Sequence, residues 1–310
     1  MADLRDACFD EIYNLAKNDP DVIFLTADMG AFSLQRFKKD LPLQYLNVGI
    51  SEQVMISVAA GLALEGKKVF VYSIAPFVTL RCYEQIKIDL CCMNLPVVII
   101  GIGTGLMYGG DGPTHHSVHD IAVMRALPNL QVLGPCDTVS TQSAVRLAYS
   151  SKCPSYIRIE RGELPDFYAP GETSTLAAMT ELRTGRDVSI ISTGVMTHCA
   201  MSAAKILSSA SISVQVIDLL RIHPLDSAKL MTLVAGMPLL VTLEEHSCVG
   251  GLGGAVAELW ADQKITIPLL RLALPHEFCF TVAGREDLLI HYGLDSHGVA
   301  RSVQERLGST

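Results

Sequence analysis

The chain has 310 residues, 49% hydrophobic and 18% charged, with 24 Gly, which is ample for two globular α/β domains. Its net charge of −8 gives a nucleic-acid role no electrostatic support, and no apolar run reaches membrane-spanning length. The nine Cys form no CxxC pair, so neither a zinc knuckle nor a disulfide framework is indicated, and reduced thiols in a cytoplasmic protein are expected.

The start, Met1-Ala-Asp-Leu-Arg-Asp, is polar and acidic, unlike a secretory signal. Residues 3–18 read as an amphipathic helix, with Leu4, Ala7, Cys8, Ile12, Leu15 and Ala16 at helical spacing. A short buried strand is expected at 22–26. It ends at Ala27-Asp28-Met29-Gly30, a loop of the kind that binds ligands at the carboxyl ends of open α/β sheets. A second strand-like run, 45–48, delivers Gly49. Ser51 and Glu52 then open a helix, 54–64, that is apolar on nearly every face. A strand at 68–72 and a helix at 76–92 follow. The run at 95–100 is continuously apolar, as in a parallel sheet covered on both faces. A Gly-rich loop, 101–116, comes next, then a helix (118–127), a strand (131–133), a helix (138–149) and a strand (155–159).

Residues 161–185, with Gly162, Pro165, Pro170, Gly171 and a Ser/Thr cluster, read as a linker. A shorter alternation then has strands near 188–192, 214–217, 239–243 and 268–272. Its helices start near Thr197, Pro224, Gly253 and Ser296. The fold class is α/β, with two doubly wound domains, 1–160 and 186–310.

Glu52 is the first candidate functional residue. A carboxylate after a Ser N-cap suits the helix dipole, and that alone accounts for many such Glu residues. The apolar surroundings, however, predict a buried helix start. A buried acid must be paired or protonated, and either state is chemically useful. The loop Gly101 to His116 holds too many Gly for a packing element, and such Gly let backbone approach a ligand. It matches neither a Walker loop nor a dinucleotide fingerprint, and a flexible surface loop is the plain alternative. His115, His116, His119 and Asp120 could suggest a metal, but adjacent His side chains diverge and no second cluster adds ligands. A hydrogen-bonding role for His115 is preferred, with His116 and His119 facing solvent or an interface.

Four strings occur in order: Ile50-Ser-Glu-Gln53, Phe77 to Tyr83, Gly109-Gly-Asp-Gly-Pro-Thr-His115 and Ile157-Arg-Ile-Glu-Arg-Gly162. Together they resemble the pyrimidine-binding half of a thiamine-diphosphate enzyme of the transketolase type. Leu243-Glu-Glu-His246 and Gly250-Gly-Leu-Gly-Gly254 resemble the C-terminal domain of the same superfamily. The resemblance covers essentially the whole chain. It implies that Glu52 hydrogen-bonds the cofactor's pyrimidine and activates it for transfer of a two-carbon ketol unit. A sheltered carboxyl suits proton exchange near neutrality. It also implies that Phe77 stacks on the pyrimidine, with Tyr83 lining the same pocket and Leu80 where a third aromatic lies in transketolases. Asp28 matches an Asp near the cofactor. Asp111 and His115 would bind sugar hydroxyls or the carbonyl oxygen, and Arg161 the acceptor's phosphate. A strand-end turn accounts equally for Asp28, a helix core for Phe77 and Tyr83, and a surface linker for Arg161.

Two phosphate contacts of the family are replaced: Gly103 stands for a loop His and Phe32 for a Ser. Either the acceptor is unphosphorylated or a partner supplies the contacts. The family binds the diphosphate through Mg²⁺, on a separate domain, by Gly-Asp-Gly and a later Asn. Here the only Gly-Asp-Gly is 110–112 and no Asn follows Asn129. The implied protein is therefore one half of a split transketolase. An N-terminal subunit would carry Mg²⁺ and the diphosphate, and self-association would give a heterotetramer. The alternatives are a decarboxylating subunit, of the 1-deoxyxylulose-5-phosphate synthase or 2-oxo-acid dehydrogenase β type, and a non-catalytic regulatory partner.

Overall fold

The structure, a computed structural model, describes residues 3–169, 171, 172 and 176–308. Pro170, Thr173, Ser174 and Thr175 of the expected linker lie outside the described residues. The first half runs α1 (Leu4–Asn18), β1 (Val22–Thr26), α2 (Phe32–Asp40), β2 (Tyr45–Asn47), α3 (Glu52–Leu64), β3 (Lys68–Ile74), α4 (Ala75–Thr79), α5 (Tyr83–Gln85), β4 (Val98–Ile102), α6 (Asp120–Arg125), β5 (Gln131–Leu133), α7 (Thr138–Ser150) and β6 (Ser155–Ile159). The second half runs β7 (Thr180–Arg183), β8 (Val188–Ser192), α8 (Met196–Ser209), β9 (Val214–Asp218), β10 (Arg221–His223), α9 (Ser227–Leu233), β11 (Leu240–Ser247), α10 (Leu252–Asp262), β12 (Leu269–Leu274), α11 (Arg285–His291) and α12 (Ser296–Gly308).

The first sheet has the order β10-β5-β6-β4-β3-β1-β2. Its strands are parallel except β10, which pairs antiparallel with β5. Successive strand residues point to opposite faces. Val69 and Val71 therefore join one core with Met55, Ile56 and Ala59 of α3, while Phe70 and Tyr72 join another with Phe9, Ile12 and Val145 of α1 and α7. The second sheet has the order β12-β11-β8-β9-β7, parallel apart from β7. Its core packs α8 and α12 against β8, β9 and β11. Local chemistry fixes the helix starts: Asp3 accepts the Arg5 N–H at 2.9 Å, and Asp137 and Ser140 form a reciprocal capping box.

The structure departs from the sequence reading in four places. The helix expected over 76–92 is broken at Leu80–Cys82, where the Thr79 hydroxyl bonds back to the Ala75 carbonyl at 2.6 Å and Gln53 of α3 donates to the Arg81 carbonyl at 3.1 Å. The chain resumes as α5 and then a wider π-helical turn, Ile86–Cys92. The expected linker contains β7, an edge strand of the second sheet. After leaving that sheet the chain contributes β10 to the edge of the first. The short helices α2 and α11 are additional to the expected elements.

Candidate active site

The first sheet reverses its winding between β1 and β3. The chain leaves β1 for β2 on one side and returns to β3 on the other. The crevice outside the carboxyl ends at such a point is where open α/β sheets bind ligands. Asp28 follows β1, Glu52 follows β2, and Ser73 and Phe77 lie at the end of β3 and just beyond it, so the sequence delivers all four to one place.

Glu52 opens α3 and is 4% exposed, as expected. Ser51 holds the N-cap position but makes no side-chain cap bond. The Glu52 carboxylate accepts from Arg81 Nη1 at 2.8 Å and, more distantly, from the Ser73 hydroxyl at 3.5 Å. Arg81 is itself exposed, and its guanidinium carbon lies 4.2 Å from the centre of the Phe77 ring. The acid is thus buried, yet its charged partner is a solvent-facing side chain. Phe77 is half-buried, and the His115 ring meets it edge-on at 5.1 Å. His115 Nδ1 lies 3.0 Å from the Thr114 hydroxyl. Tyr108 approaches His115 from another side at 6.0 Å.

Glu52, Phe77 and His115 are therefore brought together. The other expected residues are placed less directly. Asp28 is exposed, with φ 55°; its N–H donates to Asn47 Oδ1 at 2.9 Å and its carboxylate accepts from Asn47 Nδ2 at 3.1 Å. It clamps the ends of β1 and β2 just before Gly49 and Glu52. Tyr83 is half-buried, packs against the core and donates its hydroxyl to the Val123 carbonyl at 2.9 Å. Leu80 is exposed at the helix break. Asp111 is exposed at the start of a 3₁₀ turn, Gly112–Thr114, that leads into His115. Arg161 is exposed, with no ion pair among the described residues. An isolated antiparallel bridge between Asp3 and Glu163 brings the start of α1 beside the segment that carries Arg161. Burial pushes the Tyr72 hydroxyl up, and the Arg5 and Arg161 charges both oppose that shift.

The expectation for His116 fails. It is 5% exposed, its Nε2 has no partner, and burial lowers its pKa. His119 is half-buried, and its pKa too is lowered by burial. Asp120 is consumed by Arg158 Nε at 2.9 Å and the Tyr156 hydroxyl at 2.8 Å. Sequence reasoning also missed Arg81 and Tyr108. Gly103, with φ 76°, has the Tyr108 ring where its side chain would be, so Tyr108 fills the place in which a loop His was expected. Only the presence of Gly at 103 hinted at this.

Family models match along the chain: transketolase, pyrimidine binding domain, over residues 1–166, and transketolase, C-terminal domain, over residues 177–299. One subunit of an apulose-4-phosphate transketolase from Phocaeicola vulgatus is 35% identical over 308 residues, covering 98% of this chain and 97% of that protein. A 1-deoxy-D-xylulose-5-phosphate synthase from Thioalkalivibrio sulfidiphilus is 35% identical over 297 residues, covering 95% of this chain but 45% of that protein. A solved split-gene transketolase, described as an inactive β4 tetramer, superposes with a TM-score of 0.89 at 33% identity, covering 99% of both chains.

Proposed function

The chain belongs to the transketolase family, and from that premise we propose that it is the C-terminal subunit of a split, thiamine-diphosphate-dependent transketolase. The observation that carries this reading is Glu52: a buried acid at the winding reversal, beside an aromatic face, held by an exchangeable partner. When bound, thiamine diphosphate supplies the carbanion that carries the two-carbon unit.

The residues present fit its pyrimidine end. Glu52 would hold a ring nitrogen and exchange a proton there. Phe77 would offer its face, with Leu80 one turn away and Tyr83 bracing the helix from behind. A ring that both stacked on Phe77 and reached Glu52 would take the place of the Arg81 guanidinium. Asp28 would act through Asn47, holding the turn that aims Glu52. Asp111 and His115 would bind sugar hydroxyls or the carbonyl oxygen, His115 being held edge-on to Phe77. Arg161 would take an acceptor's phosphate.

Mg²⁺ and the diphosphate would sit mainly on an N-terminal transketolase subunit. That reading is supported by the apulose-4-phosphate transketolase relative, itself a subunit, whose length this chain matches almost end to end. The pyrimidine-binding unit would be residues 1–160, the connector 161–185 and the C-terminal unit 186–310. On α3 and around it Ile50, Val54 and Leu64 are exposed apolar residues, suited to self-association into a heterotetramer. Nine free Cys suit the cytoplasm.

The test is a ketose-cleavage assay on the chain co-purified with its partner. Two-carbon transfer is expected, and Glu52→Gln should cut it by orders of magnitude while leaving fold and partner binding intact. Near-normal turnover in that variant would refute the role of Glu52. Release of carbon dioxide from pyruvate would select the synthase-like alternative, and silence with every donor a regulatory subunit.

A further inference from the structure

The Gly-rich loop belongs covalently to the first domain, but the second domain holds its base. Gly105 and Ser117 exchange both backbone hydrogen bonds at 2.9 Å, closing a loop that carries Asp111 and His115. The flanking Leu106 and Val118 are buried in the core of the second domain, with Val241, Leu243 and Leu274. The Ser247 N–H donates to the Val118 carbonyl at 2.8 Å. Glu245, at the end of β11, accepts the Leu106 N–H at 2.7 Å. Its carboxyl group fills the space beside Gly105, where an added Cβ would meet the carboxyl carbon at 2.5 Å. Arg285, the first residue of α11, grips Glu245 through Nε (3.1 and 3.0 Å) and Nη2, and lies 3.8 Å from Glu160. Glu160, just past β6, accepts the Thr104 hydroxyl at 2.8 Å. Residues 104–106 are thus held by two buried carboxylates, one from each domain, that share one arginine.

We propose that Arg285, Glu245 and Glu160 are positioning residues, through which the C-terminal domain sets where Asp111 and His115 stand. Describing their cargo as sugar-binding rests on the function proposed above; the clamp itself does not.

The clamp has two acids for one guanidinium. The groups facing Glu160 are Arg285 from α11, Glu245 from β11 and Arg158 from its own strand, and Arg158 is already paired with Asp120. On the other side His116 faces Glu245. Burial pushes Glu160 up to about 7; Arg285 and Arg158 oppose this and Glu245 adds to it. A carboxyl raised on folding contributes its full stability below its ordinary pKa and loses it as pH climbs through the raised value. The clamp is therefore tightest below about pH 4.5, loosens steadily as pH climbs through about 7, and is weaker at pH 8 than at pH 6.

The experiment measures amide hydrogen exchange over 105–117 at pH 6 and 8, in the assembled two-subunit complex. After correction for intrinsic chemistry, exchange in the unaltered complex should be several-fold faster at pH 8. Arg285→Met should speed it at least tenfold at both pH values, leaving α3 and thiamine diphosphate affinity unchanged. KM for sugars should rise at least fivefold with a smaller change in kcat. Arg285→Lys should restore part of the loss, and Glu160→Gln should remove the pH difference. Unaltered exchange over 105–117 in Arg285→Met overturns the proposal, as does an equal rise throughout both domains. If that variant fails to fold, Glu160→Gln and Glu245→Gln decide by the same readout. A complex inactive on every sugar would sink the function proposed above, while the exchange data would still judge the clamp.

Discussion

Each sheet has a crevice at its carboxyl ends, and the two meet opposite fates. Around β11 and β12 the acids are bound to backbone, and Glu245 to Arg285 as well. Glu244 accepts the N–H groups of Leu252 and Gly253 at 2.6 and 2.7 Å, capping α10, and Glu245 accepts that of Leu106. The Gly-rich run 250–254 serves this, because a side chain at Gly251 would overlap the Glu244 carboxylate. Leu106 and Val118 fill what space is left. In the first crevice Glu52 is equally buried, but its partners are side chains, one of them exposed. A carboxylate tied to backbone amides cannot trade partners without unravelling a turn. One tied to a solvent-facing guanidinium can, and that separates the candidate site from a joint.

Several measurements would break or sharpen this contrast. The largest effect should come from Glu52→Gln, which removes proton exchange but not shape. Turnover with the partner should fall by about 10²–10⁴, with circular dichroism unchanged. Next are paired truncations of one Leu from each crevice. Leu106→Ala, at 1% exposure, should cost about 2–5 kcal/mol in denaturant unfolding. Leu80→Ala, exposed in the first crevice, should cost less than about 0.5 kcal/mol. Equal costs would erase the distinction.

Asp218, at the end of β9, is fully buried, accepts the Tyr168 hydroxyl at 2.6 Å and the Thr197 hydroxyl at 3.0 Å, and is pushed up to about 6, chiefly by burial. An acid raised on folding loses its stabilising contribution as pH rises from its ordinary range through 6. Stability should therefore decline between about pH 4 and 7, by on the order of 3 kcal/mol, and melting temperatures with it. Asp218→Asn should flatten that decline. A modest effect is expected of Arg81→Ala. Its exposure limits the loss to about 1 kcal/mol in a thermal melt. Thiamine diphosphate titrated into the assembled enzyme should bind as tightly or more tightly, since the ring no longer displaces a guanidinium. A marked weakening would mean that Arg81 holds the cofactor rather than its place.

Much of the site was legible because its signals are local. The apolar helix after Glu52, the Gly content of the loop and Asp-Gly-Pro-Thr-His at 111–115 each state their chemistry within a few residues. What could not be read was long-range. Arg81 reaches Glu52 only because the helix breaks at Leu80–Cys82, and that break depends partly on Gln53, 28 residues earlier. Arg285 meets Glu245 across 40 residues, and Leu106 meets it across 139. The His116 expectation failed for the same reason: no local pattern announced that the second domain would cover it.

The sequence by itself determined the alternation of strands and helices, the two α/β units and the residues able to do chemistry, since propensity, period and cap chemistry act over one or two turns. Only the tertiary structure decided which of the buried acids is paired with a solvent-facing side chain, how the chain crosses back as β10, and that the second domain carries the base of the first domain's loop. Those outcomes depend on which distant groups happen to satisfy each carboxylate, and a charge can be left buried only where such a partner arrives.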